Sequence, residues 1–213
     1  MTDLVIFDCD GVLVNSETIA NEVLVADLAG YGLHVTLEES EKMFVGGTIH
    51  GVFLTARQMG ADLPDGWVDG MYQQIFARLS EGVELMPGVI DLLDLLDERG
   101  IPFCVASNGP PDKMRITLGQ NGQWDRFEAN MVSAHTHGVA KPDPGLFLAA
   151  AEPFGASPDR TVVIEDSRNG VTAATGAGMR CLALVPDGDG AHLEHLGAEV
   201  IRHMDEVREK LRL

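Results

Sequence analysis

Four short apolar runs punctuate the chain, at residues 4–7, 101–106, 161–164 and 181–185. Each is bounded by turn-forming residues and is too short for a helix, so each reads as a strand buried on both faces. Helical spacing fills the intervals. Val89, Leu92, Leu93 and Leu96 fall on one helix face with Asp91, Asp94 and Asp97 off it, Pro87 and Gly88 ahead and Gly100 behind. Residues 142–155 and 167–179 predict two further helices, the second rich in small residues that pack closely on a sheet. Strands alternating with helices predict an α/β fold with a doubly wound parallel sheet.

One stretch breaks the alternation. Residues 15–81 carry helical patterns such as "ETIANEVLVADLAGYG" and "DGMYQQIFARLSEG" with no strand between them. They predict a helical domain at 15–81 inserted after the first strand, with 1–14 and 82–213 forming the core. The "GDG" at 188–190 reads as a turn.

Ligands in doubly wound folds sit at the carboxyl ends of the strands. Asp8 and Asp10, Ser107 and Asn108, and Glu165 and Asp166 all fall at that edge. Two carboxylates one residue apart repel, which raises at least one pKa unless a cation lies between them. Either a metal ion relieves that repulsion or one carboxyl stays protonated for acid/base work.

The formal net charge of -18 disfavours nucleic acid and anionic membrane surfaces as partners. An anionic small substrate then needs a locally positive site. No apolar run approaches a membrane span, and Asp3 without a basic flank argues against a signal peptide. Cys9, Cys104 and Cys181 fit neither a disulfide framework nor a zinc site, so the expected home is the cytoplasm. The expected oligomeric state is a monomer.

The segments "DCDGVLVNSE", "VASNG", "KPDP" and "IEDS" stand in the order and context of the four motifs of the haloacid dehalogenase superfamily. The chain resembles that superfamily over nearly its whole length. The insert and "VASNGPPDKMRITLG" are similar to its sugar-phosphate phosphatases and β-phosphoglucomutases, and among these to bacterial 6-phosphogluconate phosphatases. The resemblance implies a Rossmann-like core with a helical cap, and Mg2+-dependent hydrolysis of a small phosphorylated sugar or sugar acid. It makes Asp8 the nucleophile that forms an aspartyl-phosphate, and Asp10 the acid for the leaving alcohol and then the base for water. It places Mg2+ on Asp8, Asp166 and the main-chain carbonyl of Asp10, with Glu165 either a direct ligand or behind one. Ser107, Asn108, Gly109 and Lys141 would hold the phosphate, and Lys141 would also offset Asp8.

An acid at Asp10 favours phosphoryl chemistry over carbon–halogen cleavage. By the same resemblance the insert closes over the substrate, with "FVGGTIHG" at 44–51 as its specificity loop. The mutases carry a Lys and an Arg in that loop and a His in the first insert helix. This chain has Val45, Ile49 and Ala20 there, which weakens the alternative of a phosphoglucomutase-like isomerase. A non-catalytic binding module would have lost a catalytic carboxylate or the Lys, and all are present. Lys42, His50, Arg57 and Arg78 are candidate replacement cations in the insert. Asn15 stands where many relatives have Asp and is expected to cap the first insert helix. Asp143 is read as a cap, His135 and His137 as loop polarity, and Trp67 and Trp124 as packing residues.

Overall fold

The computed structural model describes residues 2–44 and 47–213. Six strands form one sheet: β1 (Leu4–Phe7), β2 (Phe103–Ser107), β3 (Met131–Ser133), β4 (Thr161–Glu165), β5 (Arg180–Leu184) and β6 (Glu199–Ile201). Their order is β3-β2-β1-β4-β5-β6 and every ladder is parallel. The chain therefore starts at the centre, winds outward to β3, and returns to lay β4 on the other side of β1. Ligand crevices form where the winding reverses, here at the carboxyl ends of β1 and β4. Phe7 pairs with Val105 on one side and Ile164 on the other, so Asp8 comes level with Glu165 and one residue short of Ser107 at the carboxyl edge.

Alternation along the strands fills both faces. Val5, Phe7, Val105, Ile164 and Leu182 point to one side, and Leu4, Ile6, Cys104, Ala106 and Cys181 to the other. The first face is covered by α5 (Val89–Glu98), α6 (Pro111–Gln120) and α12 (Asp205–Leu211). The second carries α9 (Gly145–Ala151), α10 (Arg168–Gly176) and the short α11 (Ala191–Glu194). Its Ala and Cys side chains let α9 and α10 lie close to the strands. Two more single turns, α7 (Trp124–Phe127) and α8 (Ala134–His137), flank β3. Phe7 is fully buried among Phe103 and Phe127 at edge-to-face angles, a side chain whose burial contributes about 1.5–3 kcal/mol.

Between β1 and α5 the chain runs through α1 (Glu17–Gly30), α2 (Leu37–Phe44), α3 (Ile49–Gln58) and α4 (Trp67–Ser80), and no strand interrupts them among the described residues. Asp27 on α1 accepts from Trp67 Nε1 at 2.6 Å and Gln74 Nε2 at 2.8 Å, pinning α1 to α4. Asn21 ties α1 to α2, accepting from Ser40 Oγ and donating to the Leu37 carbonyl. The two connections to the core run side by side. Asn15 N–H donates to Glu84 O at 2.9 Å, Met86 N–H to Leu13 O at 3.0 Å, and Val14 and Leu85 form an antiparallel bridge.

Several boundaries differ from the sequence expectation. β3 and β6 were not among the expected strands. Within the expected loop at 44–51, α2 runs to Phe44 and α3 starts at Ile49, with Thr48 Oγ1 accepting from Gly51 N–H at 3.1 Å. Val45 lies outside the described residues. Asn15 does not cap α1. The residue before that helix is Ser16, and its hydroxyl points to Asp10 instead of the helix N–H groups. Asp143 does serve its loop, accepting from Gly145 N–H at 2.8 Å. All three cysteines are free and buried. Among the described residues no helix is long and apolar enough to cross a membrane.

Candidate active site

β1 delivers Asp8 to the centre of the carboxyl edge, where its N–H extends the ladder to Ile164 O at 2.9 Å. Lys141, 5% exposed, reaches in from the loop before α9. Its ammonium lies 2.5 Å from Asp8 Oδ1 and 2.7 Å from Glu165 Oε1. Asn108 grips the backbone of that lysine twice, accepting from Lys141 N–H at 2.8 Å and donating to Lys141 O at 3.2 Å. Burial would lower the Lys141 pKa, but the two carboxylates reverse this and hold it charged, well above the usual lysine range.

Glu165 is 1% exposed. Its Oε2 accepts from the N–H groups of Asp166 and Ser167 and from Ser167 Oγ, at 2.8 to 3.0 Å. Lys141 takes the other oxygen. Gly170 on α10 lies directly over this carboxylate; a Cβ there would coincide with it. Asp166, one residue on, turns toward the β1 loop. Gly11, at φ +77°, leaves room for it: a Cβ at Gly11 would overlap the Asp166 carboxylate.

Asp10 accepts from Ser16 Oγ and pairs with Lys113 Nζ at 2.7 Å. Burial would raise its pKa, yet the Lys113 ammonium and the two hydrogen bonds hold it below the usual carboxylate range. Asp8 goes the other way. Burial, with Glu165 and Asp10 nearby, pushes it up to about 7 against the pull of Lys141. Burial and the charges of Glu17, Glu165 and Asp8 hold Asp166 far above its ordinary value. Burial and Asp10 push Glu17 up to about 8. Ser107 Oγ accepts from Gly109 N–H at 2.9 Å, which leaves its own O–H to donate.

These groups line one cavity of about 130 Å3. All eight residues singled out in the sequence reach it: Asp8, Asp10, Ser107, Asn108, Gly109, Lys141, Glu165 and Asp166. The opposite wall comes from the insert and is mostly apolar, with Ala20, Leu24, Phe44, Ile49, Val52 and Ile75 beside Asn21, Thr48 and Tyr72. Among the described residues, Lys42, His50, Arg57 and Arg78 do not line it. Sequence reasoning missed Glu17, Lys113, Ser16 and Tyr72. Glu17 and Ser16 lie inside the "DCDGVLVNSE" segment, and Lys113 lies in the first turn of the helix that follows Ser107. His135 does more than polarise a loop: its Nε2 lies 3.0 Å from Tyr72 Oη, joining α8 to α4.

The carboxylates Asp8, Asp10, Glu17, Glu165 and Asp166 share the cavity with two lysines, Lys113 and Lys141. Asp8 and Asp166 are both pushed toward protonation, so a divalent cation between them would relieve the site. Among the described residues no three His, Cys, Asp or Glu side chains form a closed metal cluster. Mg2+ needs none, since it is held through one or two carboxylates and keeps its remaining positions for water and phosphate. Two carboxylates and the Asp10 carbonyl fit that ion.

The fold and this edge are those of a known class. Residues 2–178 match the haloacid dehalogenase-like hydrolase family, and the chain belongs to it. It is similar to the 6-phosphogluconate phosphatase of Escherichia coli K12, 27% identical over 209 residues that cover 97% of this chain and 93% of that protein. Among solved structures it is similar to a haloacid dehalogenase-like protein of unknown function from Agrobacterium tumefaciens C58, at 32% identity and TM-score 0.85, covering 100% and 98% of the two chains. A HAD family hydrolase from Deinococcus radiodurans R1, solved with bound phosphate and sodium, is 34% identical at TM-score 0.78, covering 99% and 95%.

Proposed function

We propose that the protein is a Mg2+-dependent phosphomonoesterase for a small phosphorylated sugar or sugar acid, working through an aspartyl-phosphate on Asp8. The observation that carries this reading is the pairing at the edge of β1. Asp8 is buried on the Lys141 ammonium, and Asp10 is held by Lys113 and Ser16 in the same cavity. An Asp8 carboxylate oxygen attacks phosphorus and the bond from phosphorus to the ester oxygen breaks; Asp10, which must first take up a proton against the pull of Lys113, as when the substrate enters as its monoanion, gives it to the departing oxygen. Water then passes a proton to Asp10 and attacks the same phosphorus, breaking its bond to Asp8 and freeing phosphate. Ser107 O–H, backbone N–H groups of the 107–109 turn and Lys141 take the phosphoryl charge. Asp8, Asp166 and the Asp10 carbonyl are the residues to hold Mg2+, which when bound offsets repulsion between carboxylates and phosphate. Of the two roles open to Glu165, the outer one fits: it holds Lys141 and the turn into α10.

Residues 15–81 act as a cap domain on a core of 1–14 and 82–213. The substrate leaves its carbon portion against the insert wall, where Ala20 and Ile49 offer no charge to grip a second phosphate. That wall favours hydrolysis over phosphate migration, and so does the hydrolytic activity named for the E. coli relative. Three free, buried thiols suit a reducing cytoplasm. A monomer suffices, because every group invoked comes from one chain. The test is incubation with Mg2+ and a panel including 6-phosphogluconate and β-glucose 1-phosphate, with free phosphate and isomerised sugar both assayed. Phosphate release that stops on chelation and in Asp8→Asn is expected. Migration without release would make the protein a mutase.

A further inference from the structure

We infer that Lys113 is the specificity cation of this site and selects phosphomonoesters that carry a carboxylate on the ester-bearing carbon, the shortest sugar-acid phosphates. The inference rests on the phosphomonoesterase reading above and narrows its substrate class.

Lys113 rises from the first turn of α6 into the cavity wall, its side chain 13% exposed. Its stem packs beside the 107–109 turn, close enough that a Cβ on Gly109 would lie 3.6 Å from Lys113 Cδ. The other cavity lysine is already committed. Lys141 sits between Asp8 and Glu165, on the phosphoryl side, with two carboxylates on one ammonium. The insert supplies no rival among its described residues. Lys42 pairs with Glu38, Arg78 with Glu81, and Arg57 lies over the Phe53 ring and near Asp65. His50 is exposed and stacks on Phe53. An ammonium carries three N–H bonds, so Asp10 does not exhaust the donors of Lys113.

Position then decides which anion it meets. To receive a proton from Asp10, the ester oxygen must come within about 3 Å of that carboxyl. Lys113 Nζ lies 2.7 Å from Asp10 Oδ1. With the two carboxyl oxygens about 2 Å apart, the ammonium stands within roughly 8 Å of the ester oxygen whichever of them carries the proton, on the leaving-group side. A carboxylate on the ester-bearing carbon has its oxygens about 3 Å from the ester oxygen, which carries them toward the ammonium, and the flexible lysine stem spans the remainder. In a six-carbon sugar acid phosphorylated at its far end, four more carbons separate the two groups. Its carboxylate would be carried past Lys113 toward the insert wall, where Leu24, Phe44, Ile49, Val52 and Ile75 cannot solvate it and Asn21, Thr48 and Tyr72 offer neutral hydrogen bonds but no charge. A charge-assisted hydrogen bond open to one ester and closed to another appears as a ratio of affinities.

The test compares two inert probes by calorimetry in the presence of Mg2+. They are 3-phosphonopropionate, whose carboxylate sits at the required spacing, and propylphosphonate, which carries a methyl group in place of that carboxylate. Wild-type protein is expected to bind the carboxylated probe at least about tenfold tighter. K113M should bring that ratio close to one, and K113R should keep most of it. The same ratios are read in kcat/KM for 2-phosphoglycolate against ethyl phosphate, with 6-phosphogluconate expected to behave like ethyl phosphate. A wild-type protein that does not distinguish the two phosphonates overturns the assignment, whether or not K113M folds. So does a K113M protein that still prefers the carboxylated one. No phosphate release from any ester would instead overturn the phosphomonoesterase reading, while the binding ratio would still report on Lys113.

Discussion

Asn108 holds Lys141 by its backbone: the side-chain amide both accepts from the lysine N–H and donates to its carbonyl, across 33 positions of sequence. The ammonium that meets Asp8 is thus aimed by a residue at the end of a different strand. Asn108→Ala should leave the sheet intact and cost about 1–3 kcal/mol, since it strands two buried backbone groups. Turnover should fall about 100-fold, as expected when a charged group drifts by an ångström. Urea melts and single-turnover kinetics check the two effects separately. A variant with wild-type turnover would show that the loop positions Lys141 unaided.

Gly170 packs directly against the Glu165 carboxylate. Gly170→Ala would ordinarily favour a helix, by about 1 kcal/mol. Here the methyl must displace a carboxylate held by four donors, and overpacking of this kind costs about 1–3 kcal/mol. We expect net destabilisation with loss of activity. A stabilised, active variant would mean that Glu165 is free to move.

Asp8 makes stability depend on pH. Its folded pKa, about 7, lies above the ordinary value of 3.8, so the folded chain binds this proton more tightly than the unfolded chain. Its contribution is fully present below the unfolded pKa and is lost as pH rises through about 7. Metal-free protein should therefore melt lower at pH 8 than at pH 5, and Asp8→Asn should flatten that decline. Melting in chelator across this window checks it, and an unchanged slope in the variant would locate the dependence elsewhere.

Mg2+ should reverse the same trend. It binds ionised carboxylates and must displace protons from Asp8 and Asp166 to do so. The rise in Tm on adding Mg2+ should be larger at pH 8 than at pH 5, with protons released near pH 7. Equal shifts at both pH values would argue against a site on these two residues.

Tyr72 joins the insert to the core through His135. Tyr72→Phe keeps the ring packing and removes the hydrogen bond, a loss of about 0.5–1.5 kcal/mol. With the proposed cap held less firmly, KM should rise by about twofold to fivefold while the chemical step stays intact. Steady-state and single-turnover rates distinguish these outcomes.

The sequence carried the centre of this fold better than its margins. β1, β2, β4 and β5 are unbroken apolar runs because they are buried on both faces. β3 and β6 are three-residue edge strands, half-buried and mixed in polarity, and a run that short has no period to read. α2 buries only Ser40 among its residues, so no apolar stripe announced it. The eight residues expected at the site do meet at one cavity, because each ends a buried strand or sits in a recognisable motif. Lys113 and Tyr72 were not, because an isolated Lys or Tyr on a helix resembles any surface residue until the fold turns it inward. Asn15 was misjudged for a related reason: the neighbouring Ser16 precedes the helix and spends its hydroxyl on Asp10.

The paired segments that join residues 13–15 to 84–86 have a consequence for how such proteins diversify. The excursion leaves and re-enters the core through one narrow stem, beside the strand that bears Asp8. Its length and contents can change without altering the register of any core strand. Asp8, Lys141 and Asp10 stay fixed while the opposite wall of the cavity is rewritten, so a lineage can acquire new ligands by editing one interval of the gene.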